Sequence, residues 1–370
     1  MPAVADSPVA SLPQGKQTQA PPARYLALDA YRGFIMITLC ASGFGFPKLK
    51  DHPSFAWIVA QFEHVPWEGA VFWDLIQPAF MFMVGVAMPF ALARRMSEGA
   101  AFSELFRHVG IRAVKLIVLS QILISISGNA LQFQLINVLS QIAFTYFFAF
   151  LIMQLPFQRQ AIAAGAILAG YWALFALFPG SEGAFSRTDN IGAVIDRWWL
   201  GRNYSGHYVT INFVTSTVTT LFGVWTGMLL RTDRTLEAKI RILAIAMAAA
   251  FASGLLLSLW NPLVKRLWTP SFTLYSTGWV LLMLLVFVWM AEVRGWRRPM
   301  FPLVVVGMNS IFIYSLSMLL KGWIDRSLAV FTFRFEFLGT IAPVAQACAV
   351  LAVMWWACYW LYQRKIFFKL

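Results

Sequence analysis

Charge is scarce in this chain of 370 residues: Asp, Glu, Lys and Arg together make up 12% of it, against about 25% in an ordinary soluble protein. A soluble domain needs polar side chains to cover its surface. That shortage, with 59% hydrophobic residues, 16% aromatics and a mean hydropathy of +0.67, excludes one. Acidic residues are scarcest, 16 against 29 basic ones, and the net charge is +13. In a soluble protein such an excess would suggest nucleic acid. Here the basic residues sit mostly in short stretches between apolar runs, where membrane topology accounts for them, and no nucleic-acid partner is expected. Cysteine is rare too: Cys40, Cys348 and Cys358 all fall in apolar stretches without CxxC or metal-ligand spacing, so they say nothing about redox compartment. His-x-x-x-His, HExxH and acidic ligand clusters are missing, which argues against a catalytic metal. Phosphate-binding Gly-rich loops, the dinucleotide fingerprint and serine-hydrolase elbows are missing as well.

What is present is a succession of apolar runs near 20 residues long, broken by short charged stretches, the pattern of membrane-spanning helices rather than of a barrel. The expected fold is an all-α polytopic membrane protein. Ten spans are predicted, at about 33–47, 70–92, 109–127, 136–156, 160–178, 208–230, 240–260, 272–292, 301–320 and 340–362, the first with room to extend back through Leu26. Residues 1–23, rich in Pro, Ala, Ser and Gln, have no continuous apolar core and read as a disordered cytoplasmic tail before a single transmembrane domain, 24–370. If the spans alternate sides, nineteen of the 29 lysines and arginines share the face of the two termini and ten lie on the other. The positive-inside rule then makes both termini cytoplasmic.

This orientation places the unusual residues outside. The segment from Pro47 to Gly69 holds His52 and His64 among Trp57, Glu63, Trp67 and Glu68; the segment from Gly180 to His207 holds Asp189, Asn190, Asp196, Arg197 and Arg202. Loops this long are often functional. Asp74 lies about one turn inside the second span, where a carboxylate costs about 2.5–3.5 kcal/mol at the helix centre, so an ion pair or a functional partner must offset it. Pro78, one turn on, loosens that helix. His64, between Glu63 and Glu68, has the side chain suited to a base or nucleophile near neutral pH, although a lone loop histidine more often only hydrogen-bonds. Arg32, three residues after Asp29, is either an interface anchor or a phosphate ligand, since guanidinium offers a planar fork. Asn137, Gln141, Asn212, the Ser/Thr stretch from Thr215 to Thr220, and Asn309 with Ser310 read as interhelical hydrogen-bonding groups.

The order of these residues resembles the heparan-α-glucosaminide N-acetyltransferase family of transmembrane acyltransferases. The likeness opens with Leu28-Asp29-Ala30-Tyr31-Arg32-Gly33, similar to the family's Asp-x-x-Arg-Gly. Its most specific part is His64-Val-Pro-Trp67-Glu68-Gly69 followed by Asp74-Leu-Ile-Gln-Pro78 and Phe80-Met-Phe82-Met-Val-Gly85, similar to His-x-x-Trp-x-Gly, Asp-Leu-x-x-Pro and Phe-x-Phe-x-x-Gly at the same spacing. Val138-Leu139 with Thr145-Tyr146, the Asp196-Arg197 segment, Thr210-Ile211-Asn212, Asn261-Pro262 with Lys265 and Leu267-Trp268-Thr269, and Gly307-Met308-Asn309-Ser310 continue it. The resemblance implies a multi-pass enzyme that takes acetyl-CoA from the cytosol and delivers the acetyl group to a sugar or glycan on the far side. It implies His64 as the catalytic residue with Asp74 as its partner. It implies Arg32, Asp29, Asn309 and Asn212 on the donor side, and Trp67, Glu68, Lys265 and Trp268 on the acceptor side. No metal is implied, and a homodimer is compatible with it.

The chain departs from the family at Ser140-Gln141, where relatives often carry Gln-Arg, and at Ser42-Gly43, where they carry an Asn, so donor or acceptor is open to change. It also lacks the large leading region of the animal lysosomal enzyme, which points to a bacterial-type inner-membrane member. A transporter or flippase for a polar or glycolipid substrate is the competing expectation, motivated by the intramembrane Asp74 and the Pro-interrupted helix. A catalytically silent scaffold is a third.

Overall fold

The computed structural model describes residues 25–97 and 99–368; the N-terminal tail expected from the sequence lies outside them, as do the side chains of Arg94, Met96 and Ser97. Thirteen α-helices account for most of the described chain, and no β-strand is present among those residues. In chain order they are α1 (Leu26–Cys40), α2 (Ala56–Phe62), α3 (Phe72–Ser97), α4 (Phe102–Ser127), α5 (Val138–Met153), α6 (Phe157–Leu177), α7 (Ile191–Leu200), α8 (Phe213–Leu230), α9 (Leu236–Leu257), α10 (Pro270–Val288), α11 (Arg297–Met308), α12 (Ser310–Thr332) and α13 (Ala342–Gln363). Seven stretches are long and apolar enough to cross a membrane, the last of them, Ser310–Gln363, taking in both α12 and α13. This is a multi-pass helical membrane protein.

Burial sorts the helices into two layers. In α3 72% of the spanning window is buried and in the α8 segment 67%, against 17% in α9 and 22% in α6, so α3 and α8 lie at the centre and α6 and α9 at the outside. Outer-layer side chains such as Ile162, Ile245 and Leu256 stay exposed, as a bilayer solvent permits. Lipid tails are as apolar as leucine, so the inner helices must be held by close packing and hydrogen bonds. Glycine supplies the packing. A Cβ on Gly223 would sit 2.1 Å from the Phe82 carbonyl oxygen and one on Gly85 2.0 Å from that of Thr220, so α3 and α8 touch backbone to backbone. The crossing of α1 with α11 repeats the device: a Cβ on Gly33 would meet the Leu303 carbonyl oxygen at 1.8 Å and one on Gly307 that of Asp29 at 2.0 Å.

Two of the predicted spans end where hydropathy does not show it. The first is α1, which stops at Cys40, because Ser42, Gly43, Phe44 and Gly45 all take positive φ and turn the chain aside before the apolar run is finished. The predicted span at 301–320 is interrupted at Asn309 between α11 and α12. The Asn309 amide nitrogen donates to the Ile366 carbonyl (3.1 Å) and its oxygen accepts from the Phe368 N–H (3.1 Å), so the residues after α13 occupy the break. Helices occupy the other expected places to within a few residues, α4 beginning earlier, at Phe102.

Candidate functional site

Asp74 occupies the first turn of α3, where its Oδ2 accepts from the N–H groups of Val71 and Val65 (both 3.4 Å). A helix N-terminus with unpaired N–H groups favours a carboxylate there. The segment before it is extended and is stapled across the end of the bundle by the Gly69 N–H, which donates to the Leu263 carbonyl at 2.8 Å; Gly69 has φ +105°, a conformation that suits glycine. This brings His64 over the helix start. Its Nδ1 is 2.6 Å from Asp74 Oδ1, while Asp74 is 1% exposed and the imidazole 40% exposed. A carboxylate only accepts, so Nδ1 carries a proton and donates it, and in the neutral ring Nε2 keeps its lone pair. The ring lies against Trp73, with centroids 6.3 Å apart.

Lys265 completes the cluster from the far end of the sequence. Its Nζ is 3.4 Å from Asp74 Oδ1 and 3.4 Å from His64 Nδ1. The turn that carries it is closed by the Trp268 N–H donating to the Lys265 carbonyl (2.9 Å), and Trp268, at φ +53°, is fully buried with its indole N–H donating to Thr219 Oγ1 (3.2 Å). Trp268 was expected to meet the acceptor. It is instead the anchor of the Lys265 turn, with no surface left to offer. Two side chains, His64 and Lys265, thus offset the cost of the buried Asp74 carboxylate anticipated from the sequence.

Burial pulls the Lys265 ammonium down to about 8, against the opposing attraction of Asp74. The sign of its effect on stability follows. An unfolded lysine titrates near 10.5, so between pH 8 and 10.5 the unfolded chain binds more protons than the folded one, and stability rises with pH across that window. Relative to Lys265→Met, the wild type should gain stability from pH 8 to 10.5, by about 3 kcal/mol in all, with no such slope below pH 8. Thermal unfolding of both proteins in detergent across that range checks it; parallel curves would contradict the assignment.

Around this cluster the outer segments interlock. Trp67 donates its indole N–H to the Phe185 carbonyl (2.9 Å), and its ring stands edge-on to His207 at 6.5 Å. Arg266 donates to the Pro66 carbonyl and lies over the rings of Trp67 (5.8 Å) and Tyr208 (6.0 Å). Burial, aided by the cations Arg187 and Arg266, lowers the pKa of His207, which favours a neutral ring. Asp196 is buried, accepts from the Thr210 N–H (2.9 Å), and burial raises its pKa. Glu68 is exposed and makes none of the site's hydrogen bonds among the described residues.

Beneath the cluster runs a ring of amides. Gln77, one turn after Asp74, donates to Gln141; Gln141 donates to Asn212 Oδ1 (2.8 Å) and Ser216 Oγ (3.2 Å); and Asn212 donates to the Arg266 carbonyl (3.3 Å). The ring ties α3, α5 and α8 to the Lys265 connection. Asn212, assigned to the donor side by the resemblance, stands in this network beside the Lys265 connection, apart from Arg32. The others assigned to that side do come together, at the α1–α11 crossing. Arg32 donates from Nε to the Gly307 carbonyl (2.5 Å) and from Nη2 to Asp29 Oδ1 (3.0 Å), with a third of its side chain exposed, and Asn309 follows two residues after Gly307.

Gln77 and Arg266 escaped the reading of the sequence. Gln77 had a signal, lying three residues after Asp74 on one helix face. Arg266 had a weaker one, as a cation in a segment of the less basic face. No protein-family model matches the chain, and no curated protein matches it in sequence.

Proposed function

We propose that this chain is a transmembrane acyltransferase that moves an acetyl group from cytosolic acetyl-CoA to an amine or hydroxyl of a sugar or glycan on the other side. The observation that carries this reading is the His64 Nδ1 to Asp74 Oδ1 contact at 2.6 Å, with Lys265 Nζ 3.4 Å from both groups. A thioester needs no metal to react. An imidazole whose Nδ1–H is held by a carboxylate has its Nε2 lone pair available to take the proton of an attacking amine or to accept the acetyl group itself. Asp74 stabilises the imidazolium formed in the first case, and the Lys265 ammonium keeps Asp74 from carrying an uncompensated buried charge.

In this reading ten passes, α1, α3 to α6, α8 to α10, the α11–α12 pair and α13, place both termini in the cytoplasm, consistent with the basic residues near the Arg32 end. The membrane would be a bacterial inner membrane. Arg32 receives the phosphates of the donor, exchanging its pairing with Asp29 for them, and Asn309 lies beside it. From Arg32 to the end of α1 at Cys40 is about 12 Å of helix rise, a depth that a pantetheine arm can cover on its way to His64. Trp67 and Arg266 line the acceptor side. Transport is disfavoured because the Gln77–Gln141–Asn212 amides satisfy one another rather than facing an aqueous path.

The donor side is tested by thermal unfolding of the detergent-purified protein titrated with acetyl-CoA, free CoA and ATP. Saturable stabilisation by the CoA species, about 2.7 kcal/mol at a hundred times Kd, and none by ATP, is expected. Equal response to all three, or to none, contradicts the reading.

A further inference from the structure

A groove of about 440 Å³ runs along α10 between α1 and α3, and its lining takes in the sequence neighbours of Asp74 but not His64, Asp74 or Lys265 themselves. Val71, Phe72 and Leu75, which bracket Asp74 in sequence, form its upper wall together with Gln61, and Trp279, Met283 and Phe287 carry it down α10 toward Phe34. From Tyr275 to Phe287 the helix rises about 18 Å, and Phe34 stands between the ends, its ring 6.2 Å from Phe72 and 5.5 Å from Phe287. Its polar groups gather at the upper end. There Gln61 accepts from the Phe72 N–H (3.3 Å) and Tyr275 adds a hydroxyl, whereas the lower part is closed by aromatic rings, Phe34 lying 5.5 Å from Phe287. Val286, on the wall, is 45% exposed on the lipid-facing side of α10, so the groove is open sideways to the bilayer.

We infer that this groove seats the hydrocarbon chain of the acceptor, which is therefore a membrane-anchored amine or alcohol rather than a free glycan. The inference rests on the transferase reading above and adds the substrate class. A polar glycan makes no use of an apolar trough at bilayer depth, and an acetyl donor has no hydrocarbon chain to fill it. A lipid-linked acceptor supplies that chain, with its head group held at Gln61 and Tyr275, beside the His64 and Asp74 segment. Because lipid tails are as apolar as the groove, the gain is not in hydrophobic transfer. It lies in fixing the depth and orientation of the reacting amine, which converts a search over the membrane surface into a local encounter.

The test uses the full chain in phosphatidylcholine nanodiscs, labelled acetyl-CoA, and butyl, octyl and tetradecyl glucosaminides as acceptors. The tetradecyl compound should be acetylated with kcat/KM at least about tenfold above the butyl compound, a difference of about 1.4 kcal/mol. Met283→Trp, which fills the groove away from the reacting groups, should erase that preference and leave the butyl rate unchanged. Val286→Trp, at the open rim where there is room for the ring, should reduce the preference in a protein of unaltered stability. A tetradecyl glucosaminide with a photoreactive chain end should label 279–287 in the wild type and lose that labelling in Met283→Trp. Equal rates for all chain lengths, or labelling spread over the outer helices α4, α6 and α9, overturns the inference while acetylation of the butyl compound keeps the transferase reading. Labelling confined to the groove with no acetylation of any compound overturns the transferase reading, and the acceptor assignment with it.

Discussion

Asp74→Asn should lower the rate of acetyl transfer by about 10²–10⁴-fold while leaving stabilisation by acetyl-CoA in place. The carboxylate accepts from His64 Nδ1 at 2.6 Å and so keeps the proton on that nitrogen. An asparagine amide can present its NH₂ group instead, which favours the other tautomer and removes the lone pair from Nε2. The same change strips the buried Lys265 of its counter-charge, and breaking a buried pair costs about 3–5 kcal/mol. Stability and rate are separated by adding Lys265→Met: the double variant should recover much of the lost stability and none of the lost rate. A double variant that recovers the rate would mean that Asp74 serves only to neutralise Lys265.

Gly223→Val should prevent assembly of the folded protein, a loss of roughly 4 kcal/mol or more, because its Cβ would stand 2.1 Å from a backbone oxygen of α3 that no rotamer can move away. Gly165→Val on α6 is the matched control. Nothing lies within 4 Å of a Cβ there, so only the helix-propensity change remains and the effect should stay within about 1 kcal/mol. Unfolding midpoints of the two variants in the same detergent check the pair. Equal midpoints would show that α3 and α8 can separate without cost, which the burial of both at the centre of the bundle argues against.

Asp74 stood out through a local feature, a carboxylate one turn into an apolar helix, whereas His64 by itself read as a hydrogen-bonding loop residue and was joined to Asp74 only through the likeness to a known family. Lys265 was legible only through the likeness to a known family. It lies 201 residues from His64 and nothing in its own segment signals the contact. Hydropathy placed the spans but missed the break at Asn309, since the cause is a hydrogen bond to the chain's last described residues and not a change in apolar content. The partners of Asn212 were not legible for a related reason: residue type shows that an amide at membrane depth needs partners, not which helix supplies them.

The two departures from the family pattern are absorbed by the chain's own contacts. Gln141 joins Gln77 to Asn212, Ser140 accepts from Gln121 (3.2 Å), and Ser42 accepts from Lys321 (2.5 Å). The residues at these positions therefore close interhelical networks.

The most direct test of the central claim is acetyl transfer by the purified protein in sealed proteoliposomes, with labelled acetyl-CoA on one side and an amine acceptor, an alkyl glucosaminide, on the other, for the wild type and His64→Ala at matched thermal stability. The account predicts labelled product on the acceptor side with the wild type and a loss of at least about a hundredfold with His64→Ala. Transfer at an undiminished rate by His64→Ala would contradict it.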